Sequence, residues 1–234
     1  MTASLAIFDL DNTLLTGDSD VLWCEFLVAN GLLPSDRLAL NARMDADYRS
    51  GTVSPLDFSQ FYVGTLGGRT PAFWAPWRLR FLQQVVLPRI PAASRALVAR
   101  HREAGHTLVL STATNRVITE LTAAALDIPH LIATEAALAD GPAGHEGTYT
   151  GRTTGMLNMR EGKVQRLHDW LAAQGLAAAA RAQALDSAHF YSDSANDLPL
   201  LRAVGHPTVV DPDDRLLAEA QARRWPVLRL DRST

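Results

Sequence analysis

Short runs of consecutive apolar residues, each closing on a polar one, recur along the chain. Leu5-Ala6-Ile7-Phe8 stops at Asp9, Thr107-Leu108-Val109-Leu110 at Ser111, His189-Phe190-Tyr191-Ser192 at Asp193, and Thr208-Val209-Val210 at Asp211. A strand apolar at successive positions has both faces covered, as in a parallel sheet lying between helices. Between the runs, apolar positions recur with helical spacing. Segments 91–104, 115–126, 160–173 and 214–224 read as helices. The first opens at Pro91 and closes before Gly105, the asymmetry expected of helix ends. Strands alternating with helices predict an α/β fold, a doubly wound Rossmann-like parallel sheet. Ligands bind such folds outside the carboxyl ends of the strands, where Asp9, Ser111 and Asp193 fall.

One interval breaks the alternation. The stretch 17–86 is far longer than a βα loop of about 2–6 residues. It reads as helices over 21–29, 36–48, 56–65 and 73–86, punctuated by Gly31, Pro34, Gly51, Pro55, Gly67, Gly68 and Pro71. The chain is therefore expected to divide into a catalytic core, 1–16 and 87–234, and an inserted all-helical cap domain, 17–86, over the strand ends. Aromatic residues of that insertion (Phe58, Phe61, Tyr62, Trp74, Trp77) recur at helical spacing, which marks a packed stripe before a substrate wall. The glycine-rich segment 140–151 reads as a hairpin or loop on the core.

Composition narrows the class. A chain of 234 residues, 47% apolar and 20% charged, suits one sizeable core with or without a small accessory domain. The net charge of −3 and the lack of a basic track argue against nucleic acid as a partner. No stretch has the pattern of a signal peptide or the length of a membrane span, so no membrane partner is expected. Cys24 is the single cysteine and lies in a helical pattern, which makes it a packed thiol and a reduced, cytoplasmic setting the expectation. The seven histidines lack a spacing such as His-Glu-x-x-His, which argues against zinc; His168 and His189 read as surface or packed residues.

Taken singly, each chemical signal also has a plain structural reading. In Asp9-Leu10-Asp11-Asn12-Thr13, crowded carboxylates at a strand end repel unless a cation or proton lies between them. They are either a nucleophile with its acid/base partner or the capping aspartates of a turn. Ser111-Thr112, ahead of a helix, is a phosphate site or an ordinary helix cap. Lys163 alone would pass for a surface lysine. Asp193-Ser194-Ala195-Asn196-Asp197 repeats the first pattern, with Asp197 a possible cap of the helix that opens Leu198-Pro199.

The order of these signals carries more than any one of them. An aspartate pair, a hydroxyl, a lysine and a second aspartate pair resemble the four motifs of the haloacid dehalogenase superfamily. With Gly147-Thr148-Tyr149-Thr150-Gly151 and the Leu198-Pro199 tail, the chain looks like the branch containing phosphoserine phosphatase, which inserts a helical cap between the first two motifs. The resemblance implies a phosphatase for small phosphate monoesters that works through an aspartyl-phosphate and needs Mg2+. It makes Asp9 the nucleophile and a metal ligand. Asp11 is the general acid and base and gives the metal its backbone carbonyl, while Asp193 gives a second carboxylate. Ser111, Thr112, Lys163 and Asn196 take the phosphoryl oxygens, and Asp197 orients Lys163 or metal-bound water.

Two positions depart from that branch: Ser192 stands where glycine commonly precedes the fourth motif, and Ser111-Thr112-Ala113 replaces Ser-Gly-Gly. A phosphotransferase, or a silent phosphate-binding protein, would share the scaffold. For substrate, the branch uses an acidic residue matched here by Asp18 and a cap arginine. At the arginine's place stand Tyr62 or Val63, and the next arginine is Arg69. An amine contact without a carboxylate clamp points to a cationic amino-alcohol phosphate such as histidinol phosphate, unless Asp18 only caps the helix that follows it.

Overall fold

The computed structural model describes residues 4–142 and 146–233. The strands are Leu5–Phe8 (β1), Thr107–Asn115 (β2), His130–Ala139 (β3), Thr148–Thr154 (β4), His189–Ser192 (β5), His206–Val210 (β6) and Val227–Leu228 (β7). They form one sheet in the order β4-β3-β2-β1-β5-β6-β7. Every pairing is parallel except that of β3 with β4. Because β1 pairs with β2 on one side and β5 on the other, the strand order reverses there, the place where such sheets open a crevice. Phe8 lies level with both Leu110 and Tyr191, so Asp9, which leaves β1, stands beside Ser111 of β2 and Ser192 of β5.

Two layers of helix cover the sheet: Ala92–Glu103 (α5) and Arg116–Ala125 (α6) on one face, Glu161–Ala173 (α7), Ala178–Asp186 (α8), Leu198–Ala203 (α9) and Asp214–Arg223 (α10) on the other. The period of two along β1 divides its side chains between them. Ala6 and Phe8 join Leu97, Val98, Val117 and Ile118, whereas Leu5 and Ile7 join Leu167, Leu171, Leu185 and Leu216. The consecutive apolar runs thus arise from burial on both faces.

Between β1 and α5 lie Ser19–Ala29 (α1), Arg37–Arg49 (α2), Pro55–Val63 (α3) and Pro71–Phe81 (α4), which runs on through a π turn at Leu82–Val86. Ser54 and Thr70 cap α3 and α4, each followed by proline at the first turn. The insertion has two layers. Trp23 of α1 packs edge-on against Trp74 (5.6 Å) and Phe81 (5.1 Å) of α4, and all three belong to the cluster that holds Phe8 and Leu110. Its indole donates to Thr65 Oγ1 at 3.1 Å. Outside this layer, Cys24, Phe58 and Tyr62 form a smaller cluster with Met159. Phe58, Tyr62 and Trp74 are buried as packing residues, and Cys24 is a buried thiol.

The structure also corrects the sequence reading. β2 does not stop before Ser111 but continues to Asn115, because Ser111 and Thr112 still pair with Ile132 and Ala133 of β3. The segment 140–151 joins β3 to β4 as a hairpin, with 143–145 outside the described residues. Its far strand holds the insertion: Gly68 N–H donates to Tyr149 O (2.8 Å) and Tyr149 N–H to Arg69 O (2.9 Å). A Cβ on Gly67 would stand 3.3 Å from Gly151 Cα, so glycine here permits the close approach. Among the described residues no helix is long and apolar enough to cross a membrane.

Trp23→Ala should lower the unfolding free energy by about 3–5 kcal/mol, as buried aromatic truncations do. Urea denaturation checks this; an unchanged midpoint would mean that α1 and α4 are not part of the main core.

Candidate active site

Beyond β1 the backbone turns sharply. The N–H groups of Thr13, Leu14 and Leu15 converge on the Leu10 carbonyl, and Asn12 takes a left-handed conformation (φ 55°) that asparagine tolerates better than most residues. Buried Leu10, Leu14 and Leu15 anchor this loop, which holds Asp9 at 6% exposure. Asp9 Oδ1 accepts from Lys163 Nζ at 2.8 Å, and Oδ2 lies 3.3 Å from the Thr13 hydroxyl. The same hydroxyl lies 2.9 Å from Asp193 Oδ1, at the end of β5, and accepts from the Asp193 N–H at 3.1 Å. One hydroxyl proton cannot serve both carboxylates.

Lys163 enters from the first turn of α7 and is 2% exposed. Gly162 makes that possible: a Cβ there would fall 2.2 Å from Leu157 O, so only glycine lets the preceding turn press against the helix start. Lys163 Nζ donates to Asp197 Oδ2 as well, at 2.7 Å, and Ser192 Oγ donates to that same oxygen at 2.7 Å. Asp197 therefore orients the lysine, and its side chain makes no capping bond to α9. The serine that departs from the expected glycine is part of this anchor.

Asp11 is held separately. Its Oδ1 accepts from Ser19 N–H (2.7 Å) and its Oδ2 from the hydroxyls of Thr114 (2.9 Å) and Thr112 (3.4 Å). Ser111 is fully buried, and its hydroxyl accepts from Asn158 Nδ2 at 3.1 Å. The same Nδ2 lies 2.9 Å from the carbonyls of Thr112 and of Ile132, so its two protons are shared among three acceptors. Asn196 links the turn after β5 to the insertion: its amide donates to Tyr48 Oη (3.2 Å) and its Oδ1 accepts from Arg160 Nε (3.3 Å). Asp18 caps α1, accepting from the N–H groups of Asp20 and Val21.

The structure thus brings Asp9, Asp11, Asp193, Asp197 and Lys163 together, with Ser111 and Thr112 at the adjoining strand end. The sequence assigned no role to Thr13 or to Ser192, the departure from glycine, and did not single out Thr114 or Asn158; the contacts of these uncharged residues appear only in the hydrogen bonds.

Charge at this end of the sheet is unbalanced. Burial raises Asp9 to about 7; Lys163 opposes the rise, and Asp197 and Asp11 add to it. Burial raises Asp11 to about 7 as well, with Asp18 adding to the effect. Asp193 moves up for the same reason, with Asp9 as its main charged neighbour. Burial works to lower Lys163, but Asp197 and Asp9 outweigh it and hold the ammonium charged. Oxygen ligands with surplus negative charge suit a hard divalent cation. Asp9 and Asp193, which compete for one hydroxyl, are the carboxylates placed to share it.

The family model for haloacid dehalogenase-like hydrolases matches residues 6–202. A histidinol-phosphatase from Neisseria meningitidis serogroup C (strain 8013) is 36% identical over 226 residues, 96% of this chain and 98% of its own. A crystal structure of a protein of unknown function from Bordetella pertussis Tohama I superposes with a TM-score of 0.87 at 37% identity, covering 97% of this chain and 99% of that one. A phospho-aspartyl intermediate analogue of phosphoserine phosphatase shares the fold, with a TM-score of 0.68 at 13% identity, over 100% and 96% of the two chains.

The raised Asp9 carboxyl fixes the sign of a pH effect. With a folded value of about 7 against an ordinary 3.8, the proton it holds stabilises the cation-free fold fully below about pH 4. That contribution is lost as pH rises through 7, where a cation can take the proton's place. Mg2+ should therefore raise the melting temperature more at pH 8 than at pH 5.5. Equal shifts in thermal melts at the two pH values would contradict this account.

Proposed function

Since the chain belongs to the haloacid dehalogenase-like hydrolases, we propose that it is a Mg2+-dependent phosphatase that hydrolyses a small phosphate monoester through an aspartyl-phosphate on Asp9. The observation that carries the reading is the split between two neighbouring aspartates. Asp9 is buried against Lys163, whereas Asp11 is held apart by Ser19 and Thr114. Two carboxylates in distinct settings can take distinct roles. Asp9 attacks phosphorus, and the ester oxygen leaves with a proton from Asp11. Water then attacks the acyl phosphate, gives its proton to Asp11, and inorganic phosphate departs.

Asp9, Asp193 and the Asp11 backbone carbonyl would hold Mg2+, which when bound offsets the negative charge shared by phosphate and carboxylates. Lys163 brings its charge to the phosphoryl oxygens. Ser111 accepts from Asn158 and so keeps its own proton free to donate to the same oxygens; Thr112 and Asn196 complete that contact. Asp197 positions Lys163. Residues 17–86 serve as the cap, and its outer layer, α2 and α3, is the part that closes over the ester.

For substrate we favour a cationic amino-alcohol phosphate, histidinol phosphate being the named example among the relatives. Asp18 sits close enough to raise Asp11. In the insertion, Asp20 Oδ1, Asn41 Oδ1 and the Tyr62 hydroxyl are buried without a hydrogen-bond partner among the described residues. Two of these are acceptors only, and buried acceptors call for a donor. Among the described residues, arginines of the insertion have other partners: Arg37 lies over the Phe61 ring (4.0 Å), Arg69 lies over the Phe73 ring (4.8 Å), and Arg49 pairs with Asp45 (2.9 Å). Phosphoserine, whose carboxylate needs a clamp, is the second reading, and it rests on the shared fold.

Asp9→Asn should abolish turnover of an aryl phosphate, and Asp11→Asn should lower kcat by about 10²–10⁴-fold while Mg2+ binding persists. Turnover by Asp9→Asn, or in excess chelator, would sink the mechanism. Among phosphate monoesters, histidinol phosphate should exceed phosphoserine in kcat/KM. Asp18→Asn keeps the cap and removes the charge, so it should narrow the preference for amine-bearing over neutral esters by about tenfold or more, the worth of a charge-assisted hydrogen bond. If phosphoserine proves the best substrate, this reading of the insertion is wrong.

A further inference from the structure

At the opposite edge of the sheet lies a group of side chains that phosphate chemistry does not use. His101 ends α5, His106 stands in the turn before β2, and His189 opens β5. Each offers a ring nitrogen within 4.8 Å of the others. We propose that His101, His106 and His189 form a second metal site, for a borderline transition-metal ion such as Zn2+, which staples the α5–β2 corner to β5. The sequence reading of His189 as a surface or packed residue, and of the histidines as unsuited to zinc, rested on spacing along the chain alone.

The hydrogen bonds favour a ligand arrangement. His101 Nε2 lies 2.8 Å from Tyr191 Oη, and His101 Nδ1 lies 2.7 Å from His106 Nδ1. A neutral imidazole has one N–H. If His101 gives it to Tyr191, its Nδ1 lone pair faces His106, and a single shared proton joins the two rings. A metal ion replaces that proton. The Tyr191 hydroxyl then plays the orienting part that partners of metal-bound histidines usually play.

Distances and charge agree. With Zn–N bonds of about 2.0–2.1 Å, tetrahedral ligands stand roughly 3.3 Å apart. The observed separations of 2.7 Å to within 4.8 Å bracket this. Burial, with His189 and His106 adding, lowers His101 to about 4, and burial and His206 lower His189. The neighbouring Arg100 acts in the same direction on both rings, and the neutral form favoured by burial is the one that binds metal. His106 and His189 are half-exposed, and His189 borders an open cavity of about 530 Å³ that His206 also lines, which gives an ion a way in. His206 stacks on His189 at 4.6 Å. The site is separate from the phosphate end: β5 carries His189 first and ends at Ser192, before Asp193, a span of roughly 13 Å at ~3.3 Å per residue.

The test is equilibrium dialysis of chelator-stripped protein against Zn2+ with Mg2+ in excess, read as zinc per chain. One zinc should remain on the native chain and on Asp193→Asn. It should be lost from His106→Asn and His189→Asn, both checked for native folding by circular dichroism. Tyr191→Phe should weaken binding about 10–100-fold, the usual effect of removing an orienting partner. Bound zinc should raise the melting temperature of the native chain and leave that of the histidine variants unchanged. No zinc retained on the native chain, or zinc lost from Asp193→Asn and kept by the histidine variants, would overturn the proposal.

Discussion

A single buried ammonium, that of Lys163, stands against the carboxylates of Asp9 and Asp197, with Asp11 and Asp193 close by. Taking one such charge out of water costs several kcal/mol, so each must be held by partners that the rest of the fold supplies. That requirement reaches far along the chain. β1 brings Asp9, β5 brings Asp193, the turn after β5 brings Asp197, and α7 brings the lysine that joins them. Ser192 and Thr13 supply the hydroxyls between. Removing one member leaves the others buried and unpaired, and the four-residue strand β1 that carries Asp9 is itself packed on both faces with no exposed side chain.

The same constraint limits how the insertion can move. α1 gives Asp11 its Ser19 N–H, and Trp23 of the same helix is built into the cluster beneath the sheet's carboxyl edge. Swinging all of 17–86 would take from Asp11 its Ser19 N–H donor, leaving only the Thr114 and Thr112 hydroxyls, and would open an aromatic core. α2 and α3 carry a smaller cluster, joined to α1 by the Asn41–Val21 hydrogen bond and to the core through Met159, the Tyr48–Asn196 hydrogen bond and that of Gln60 with Thr153 of β4. Motion confined to that outer layer leaves the acid in place and changes only the access to it. On the function proposed above, the expected cap divides into an inner half tied to Asp11 and an outer half whose movement would leave that tie intact.

How much of this was legible in the sequence follows from what leaves a periodic trace. Burial on both faces writes consecutive apolar residues, so β1 and β5 were readable together with the aspartates that end them. β3 mixes Thr134 and Glu135 into its run because it borders the hairpin strand, and its pattern fades there. α8 is alanine-rich and lacks an apolar stripe. Hydroxyl and amide groups leave no trace at all: Thr13, Thr114 and Asn158 look like ordinary polar residues until their partners, distant in sequence, are known. The three histidines were hidden for the same reason, since β5 begins beside the α5–β2 corner only once the sheet is assembled.

The charge balance also bears on which ester fits, on the function proposed above. A phosphate dianion must enter a pocket whose own carboxylates outnumber its lysine, and a bound cation offsets only part of the surplus. The other end of the ester then meets Asp18, with Asp20 and Asp45 behind it, and Arg49 and Arg160 already engaged. Two unit charges about 5 Å apart, at an effective dielectric of ~20, interact by roughly 3 kcal/mol. A second carboxylate on the substrate would add a repulsion of that order, whereas an ammonium or imidazolium gains about as much. On that proposal, the sign of the charge at the far end of the ester, more than its size, is what this insertion would read.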